Sequence, residues 1–382
     1  MGTPLPHSFF CIELIPNFPI YPFALILIFI CWFIANQGIS DSVMFNNIIS
    51  SINIIVLLFA IISSFFYIKL ERYENYFEKG LSGIMSAQNI AAFAYLGYES
   101  VAAFSEEAKN VKRDIPLALM LTLISAIIIN SLLTFNLIGM APILLISNEK
   151  SVISAFGYAT NPYFVFFVGI GLNVALIATT FSCVITVPRF CFSMSRDGMI
   201  PEIFTTSNKK GAFAFTNFVT SICAITFMLF LDLESSSFLV SVLCLLLNTF
   251  ICLGIVILRY EKSSKLSSIS KASIIFLFLS AFLGYKIFNG FKWFEIGVIG
   301  VCLIILLLYL LLTKQDYFSR DLKCPLVPII PLLGALTNLI TLGSTPIFID
   351  VLALLLVVLG VILYFCYGYS KSVVDKLSKK SD

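Results

Sequence analysis

The sequence predicts an all-α polytopic membrane protein with about eleven transmembrane helices. Three observations carry this prediction. The 382 residues are 59% hydrophobic and only 12% charged, with a mean hydropathy of +1.00, a composition foreign to soluble domains. The apolar residues fall in continuous runs near the roughly 20 residues that a helix needs to cross hydrocarbon. Those runs do not alternate apolar with polar, which excludes a strand-based barrel.

Taken in order, the candidate spans occupy 20–35, 48–68, 84–105, 117–140, 164–194, 216–231, 238–258, 273–288, 294–312, 326–342 and 348–367. Segment 1–19 is expected outside the membrane, 261–272 as a cytoplasmic loop and 368–382 as a cytoplasmic tail. The two largest connections, 141–163 and 259–272, are read as interhelical links, so no soluble domain fits. The 38 phenylalanines are most simply lipid-facing bulk.

Composition also excludes several classes of function. A net charge of +3 without a basic patch interleaved with aromatics predicts no nucleic-acid partner. The ten cysteines lie singly, mostly inside spans, with no CxxC pair, so neither a disulfide framework nor a metal knuckle is expected. His7, the only histidine, falls outside every span, and no cofactor or metal is predicted. An intramembrane enzyme is disfavoured, because there are no paired transmembrane aspartates, no membrane histidine and no serine elbow.

Loops assigned alternately to two sides give an uneven distribution of basic residues. One side holds Lys69, Arg72, Lys79, Lys150, Lys286 and Lys292; the other holds the remainder of the 24, from Lys109 to Lys380. The positive-inside rule makes the second side, and the C-terminus, cytoplasmic. Eleven spans then put Met1 outside, without the basic region of a signal peptide. An odd number of spans is expected upstream of this chain.

The span 84–105 is interrupted by Gly97-Tyr98-Glu99 near its middle, and its charged exit ends before Pro116. A carboxylate and a freed backbone are costly at membrane depth unless they line a cavity. Broken helices at mid-membrane are how many secondary transporters build a substrate site. Gly97 is equally the residue that permits close helix packing.

This broken span and its exit resemble the sixth helix of the amino acid–polyamine–organocation permeases, and within them the cationic amino acid transporter family. Four further stretches agree: 12–60 with Asn46-Asn47 and Ser51-Ile52-Asn53-Ile54; Val187-Pro188-Arg189 with Arg196-Asp197-Gly198-Met199-Ile200-Pro201; Leu231-Asp232-Leu233-Glu234 through Arg259-Tyr260; and Pro325-Leu326-Val327-Pro328 with Tyr364-Phe365-Cys366-Tyr367-Gly368. The resemblance implies family helices four to ten over 20–260 and eleven to fourteen over 273–367. It implies part of a five-plus-five inverted-repeat (LeuT-type) core followed by four C-terminal helices. Family helices one to three are not found. The first of them carries the glycine-rich amides that hold a substrate carboxylate, so the chain is expected to be a truncated or transport-inactive form. Val111, where the family has proline, is a smaller departure.

The resemblance implies an amino acid substrate, cationic (Lys, Arg or ornithine), carried by alternating access in a plasma or vacuolar membrane. Neutral amino acids or polyamines remain alternatives. It places the carbonyls of Phe93, Ala94 and Leu96, beside Gly97 and Tyr98, on the substrate α-ammonium; an interrupted helix leaves such carbonyls unpaired at its negative end. Glu99 either contacts substrate, caps the second half-helix or bonds a neighbour. Glu106 and Glu107 are either a solvated helix end or part of a gate. Asn53 stands where proton-coupled bacterial relatives carry a lysine. An amide cannot titrate, which favours facilitated diffusion or exchange; an interhelical hydrogen bond explains it as well. Thr179, Ser182 and Thr186 share one helix face, as do Ser241, Cys244, Asn248 and Cys252, so each face either lines a pocket or packs. Arg189 is expected to snorkel to the interface. The sequence does not give the oligomeric state.

Overall fold

The computed structural model describes residues 12–15, 18–20, 22–73, 80–105, 108–142, 146, 151–208, 211–260, 266–289, 293–313 and 324–371. Among them the helices are α1 (Pro22–Ala35), α2 (Ile39–Phe65), α3 (Gly80–Ala94), α4 (Ser100–Ala103), α5 (Val111–Met140), α6 (Ser151–Ala159) and α7 (Pro162–Arg196). Then follow α8 (Ala214–Phe230), α9 (Leu233–Arg259), α10 (Leu266–Asn289), α11 (Trp293–Leu312), α12 (Ile329–Leu342) and α13 (Ile347–Leu363). Seven helices are long and apolar enough to cross a membrane, and α1, α8 and α12 are shorter apolar helices. Together with the interrupted α3–α4 pair they supply the elements that hydropathy predicts, in the predicted order.

The departures are local. Ile12–Ile15 and Phe18–Ile20 pair as a small antiparallel hairpin, so the structure is helical but for this β1–β2 ribbon. The β-branched isoleucines suit strands. The connection 141–163 is not merely a link: α6 lies within it, with Ala155 and Phe156 fully buried against Ala60, Leu137, Met140 and Val168. Nine residues were too few to register as a span. Helix α10 begins at Leu266, inside the segment expected to be loop. Nor are the phenylalanines uniformly lipid-facing, since Phe181 is buried with Cys31 and Ala35 between α1 and α7.

Lipid is as apolar as leucine, so burying apolar surface does little to join helices in a membrane. Close-packed small residues and interhelical hydrogen bonds do the joining. Along the α2–α7 seam, Ser182 Oγ donates to Asn46 Oδ1 at 2.8 Å. Gly171 lets α7 approach Val56 so closely that a methyl group there would overlap its Cγ1. Between α2 and α5, Asn136 Nδ2 donates to the Ile61 carbonyl at 2.9 Å and to Ser64 Oγ at 2.8 Å. The largest buried cluster joins α9, α10, α11 and α12, with the Tyr260 hydroxyl donating to the Leu310 carbonyl at 2.7 Å. There α10 meets α12 at Gly284, where a methyl group would come to 2.7 Å from the Leu339 carbonyl oxygen and 2.8 Å from Ile340 Cα.

These two glycine contacts differ in what must yield. At Gly171 the obstacle is a side chain that can be shortened, whereas at Gly284 it is backbone. Gly284→Ala is therefore expected to lower the unfolding temperature in detergent more than Gly171→Ala, each by overpacking of about 1–3 kcal/mol. Adding Val56→Ala should restore the G171A protein and leave the G284A protein unchanged.

Candidate functional site

Helix α3 stops at Ala94, and the chain turns through Tyr95–Glu99 before α4 begins at Ser100. Gly97 sits at φ +104°, a conformation that L side chains rarely adopt, so glycine is what allows the break. Its own peptide groups are satisfied within the turn. The Gly97 N–H donates to Glu99 Oε2 at 3.0 Å. Its carbonyl accepts from the Ser100 N–H at 3.1 Å and from Ser100 Oγ at 2.6 Å. Glu99 thus folds back onto the break, and its side chain makes no cap bond to α4.

The carbonyls upstream fare differently. Phe93 accepts from the Leu96 N–H at 3.2 Å, so this expected acceptor is already used. Its side chain is largely exposed and does not line the cavity described next. No donor among the described residues reaches the carbonyls of Ala94, Tyr95 or Leu96. They lie at the negative end of α3, where a positive charge is favoured.

Beside them is a cavity of about 430 Å³, within the size range of small-molecule sites. The break lines it from Ala94 to Ser100, α2 through Ser50 and Asn53, α5 through Thr122, Leu123 and Ala126, and α7 through Ala178, Thr179, Ser182, Cys183, Thr186, Val187 and Phe190. Among the described residues the lining has one charged side chain, Glu99, and no lysine or arginine. The structure therefore gathers Asn53, Ala94, Leu96, Gly97, Tyr98, Glu99, Thr179 and Ser182 around one space. Asn248 stands outside the lining and accepts the Tyr98 hydroxyl at 3.2 Å, tethering the break to α9. Glu106 and Glu107 lie outside the described residues.

Several lining residues had no separate signal in the sequence. Ser50 is one turn from Asn53, and Cys183, Val187 and Phe190 extend the Thr179–Ser182–Thr186 face, so helical periodicity could have reached them. Thr122 could not be recognised, because its hydroxyl is spent on the Ala118 carbonyl at 2.8 Å and only the fold turns α5 toward the break. Asn53 Oδ1 is buried without a hydrogen-bond partner, so the interhelical bond considered for it is not made through that oxygen.

Arg189 corrects another expectation. It does not snorkel: only 8% of it is exposed, and its guanidinium carbon sits 4.2 Å from the centre of the Phe104 ring. Pro188, inside α7, is buried beside it. A desolvated guanidinium over an aromatic face regains part of its lost hydration through the ring quadrupole.

The sequence profile of amino acid permeases matches residues 8–316, and the profile of the permease C-terminus matches 322–372. The chain belongs to the amino acid permease family. This permease is 29% identical over 246 residues to the vacuolar cationic amino acid transporter 2 of Arabidopsis thaliana, covering 63% of this chain and 39% of that protein. It is 29% identical over 237 residues to human cationic amino acid transporter 4, covering 58% and 36%. A methylthioribose transporter of Bacillus subtilis is 25% identical over 237 residues, covering 62% and 51%. The matched region of this permease thus spans between about a third and a half of these relatives.

In this permease the Tyr98–Asn248 bond is a contact that a double-mutant cycle can isolate. Tyr98→Phe and Asn248→Ala are expected to be non-additive in thermal unfolding by about 1 kcal/mol, the usual net worth of a neutral hydrogen bond. Strict additivity would mean that the two side chains do not meet.

Proposed function

We propose that this permease holds a small amine-bearing substrate in the cavity beside Gly97 and moves it across the membrane by alternating access. The substrate class that fits best is an amino acid with a cationic side chain, such as lysine, arginine or ornithine. One observation carries the reading: three unpartnered carbonyls at the negative end of α3 flank a cavity whose only charged side chain among the described residues is a carboxylate. An ammonium group offers three donors and a positive charge to such a lining. The two cationic amino acid transporters among the relatives support the same choice.

Facilitated diffusion or exchange follows from Asn53. It borders the cavity as an amide, which cannot gain or lose a proton during a transport cycle. The basic side of the chain, and with it the C-terminus, is assigned to the cytoplasm by the positive-inside rule. Plasma and vacuolar membranes both suit such a protein.

A second reading concerns the substrate side chain. Glu99 already accepts the Gly97 N–H, and a relative named for methylthioribose is nearly as similar as those named for cationic amino acids. Neutral amino acids, polyamines or a thio-sugar are therefore the competing substrates.

Uptake of labelled arginine by cells expressing this protein is expected to be saturable. Arginine preloaded on the opposite side should accelerate it, and a protonophore should not affect it. Competition by lysine and ornithine but not by neutral amino acids or methylthioribose would support the cationic reading, and the reverse pattern the second. Uptake equal to that of cells lacking the protein would defeat both. Within an active protein, Glu99→Gln retains an acceptor oxygen for Gly97 and is expected to transport better than Glu99→Ala, which leaves that N–H unpaired at a cost of about 1–3 kcal/mol.

A further inference from the structure

We propose that the stacked pair Phe104–Arg189 is a latch, holding the second half of the broken span against α7 and thereby closing the cavity on the side where α7 ends. The inference rests on the transport reading only in treating the cavity as a chamber for solute. Three observations lead to it. First, α4 is a single turn that buries none of its four side chains, so little of its own packing fixes its position. Second, it hangs from Gly97, whose φ of +104° marks a departure from helical geometry immediately before it. Third, Phe104, its C-terminal capping residue, is the point where it meets a buried cation on a neighbouring helix.

The location of the pair gives the contact its consequence. Ser100 at the start of α4 and Thr186, Val187 and Phe190 on α7 all line the cavity. Arg189 lies between the last two, turned away from the cavity and under the Phe104 ring. The stacked pair therefore stands behind the wall where α4 meets α7, outside the lining itself. On its far side Arg189 borders a space of about 20 Å³ with Ser42, Pro188 and Asn217, room for a single water. Asn217 is 4% exposed, and its Oδ1 has no partner there, although its Nδ2 donates to Asn36 Oδ1 at 3.1 Å. Arg189 is thus surrounded by α1, α2 and α8 residues and anchored in the body of the protein. When the pair parts, α4 swings and α7 stays.

Cys183 provides a native reporter, because it lines the cavity and its side chain is accessible. The protein is reconstituted in liposomes, and a charged, membrane-impermeant methanethiosulfonate is added from the face that bears Arg196. Labelling of Cys183 is read by mass spectrometry of its peptide, with Cys183→Ser as the blank. Phe104→Leu keeps apolar volume and removes the ring face; its initial labelling rate is expected to rise about tenfold, the scale of a desolvated cation–π contact. Arg189→Gln should do the same. Phe104→Trp should label more slowly than the parent, since indole is the best ring for this contact.

Equal rates in the parent and F104L proteins would overturn the latch. If F104L does not fold, F104W decides alone, and a rate no lower than the parent's overturns it. Labelling needs no transport, so latch-dependent labelling in a protein that takes up no amino acid would count against the transport reading and leave the latch standing.

Discussion

A peptide group freed inside hydrocarbon has no water to turn to, and the break at Gly97 frees several. How each is settled organises this half of the protein. Gly97 has both groups satisfied by the two residues that follow Tyr98, through the Glu99 carboxylate and the Ser100 amide and hydroxyl. Phe93 is settled by a tight turn to Leu96. Left without a partner among the described residues are three consecutive carbonyls, Ala94 to Leu96, and the N–H groups of Tyr98 and Glu99, and beside them lies the cavity. Without that space the carbonyls would be stranded.

The surrounding helices divide by how firmly they are joined. The seam between α2 and α7 is held by Ser182 on Asn46 and by a glycine under Val56, and α5 is fastened to α2 by a buried asparagine that makes two bonds. These contacts lie on either side of the cavity and make a rigid frame. The break and α4 are tied to their surroundings by the Tyr98 hydroxyl on Asn248 and by the Phe104 ring on Arg189, while α3 packs along α9 and α12.

The sequence revealed whatever is local or periodic. Continuous apolar runs predicted the spanning elements, and a glycine between an apolar run and a carboxylate predicted the break. Three-and-four spacing put Thr179, Ser182 and Thr186 on one face of α7 but left open whether that face lines a pocket or packs. Contacts between distant segments left no such trace. Nothing near Asn248 indicates that it will meet Tyr98 from 150 residues away. Arg189 illustrates the limit well: a charge near the end of a span reads as a residue reaching for water, and only the tertiary position of Phe104 shows why it stays inside. Helix α6 was missed for a different reason, since a nine-residue helix of mixed polarity within a loop is indistinguishable by hydropathy from a short link until neighbouring helices cover it.

The placement of Arg189 also bears on the charge of the cavity. It lies in sequence between Val187 and Phe190, both of which line that space. Two unit charges about 4 Å apart interact by roughly 4 kcal/mol at an effective dielectric of 20. An arginine in the cavity would thus satisfy the stranded carbonyls itself and repel any amine that approached them. Under Phe104, the same cation is compensated by an aromatic face and kept out of the lining. If the ring fastens α4 to α7 as proposed, the same contact also leaves the negative end of α3 to a positive group from outside.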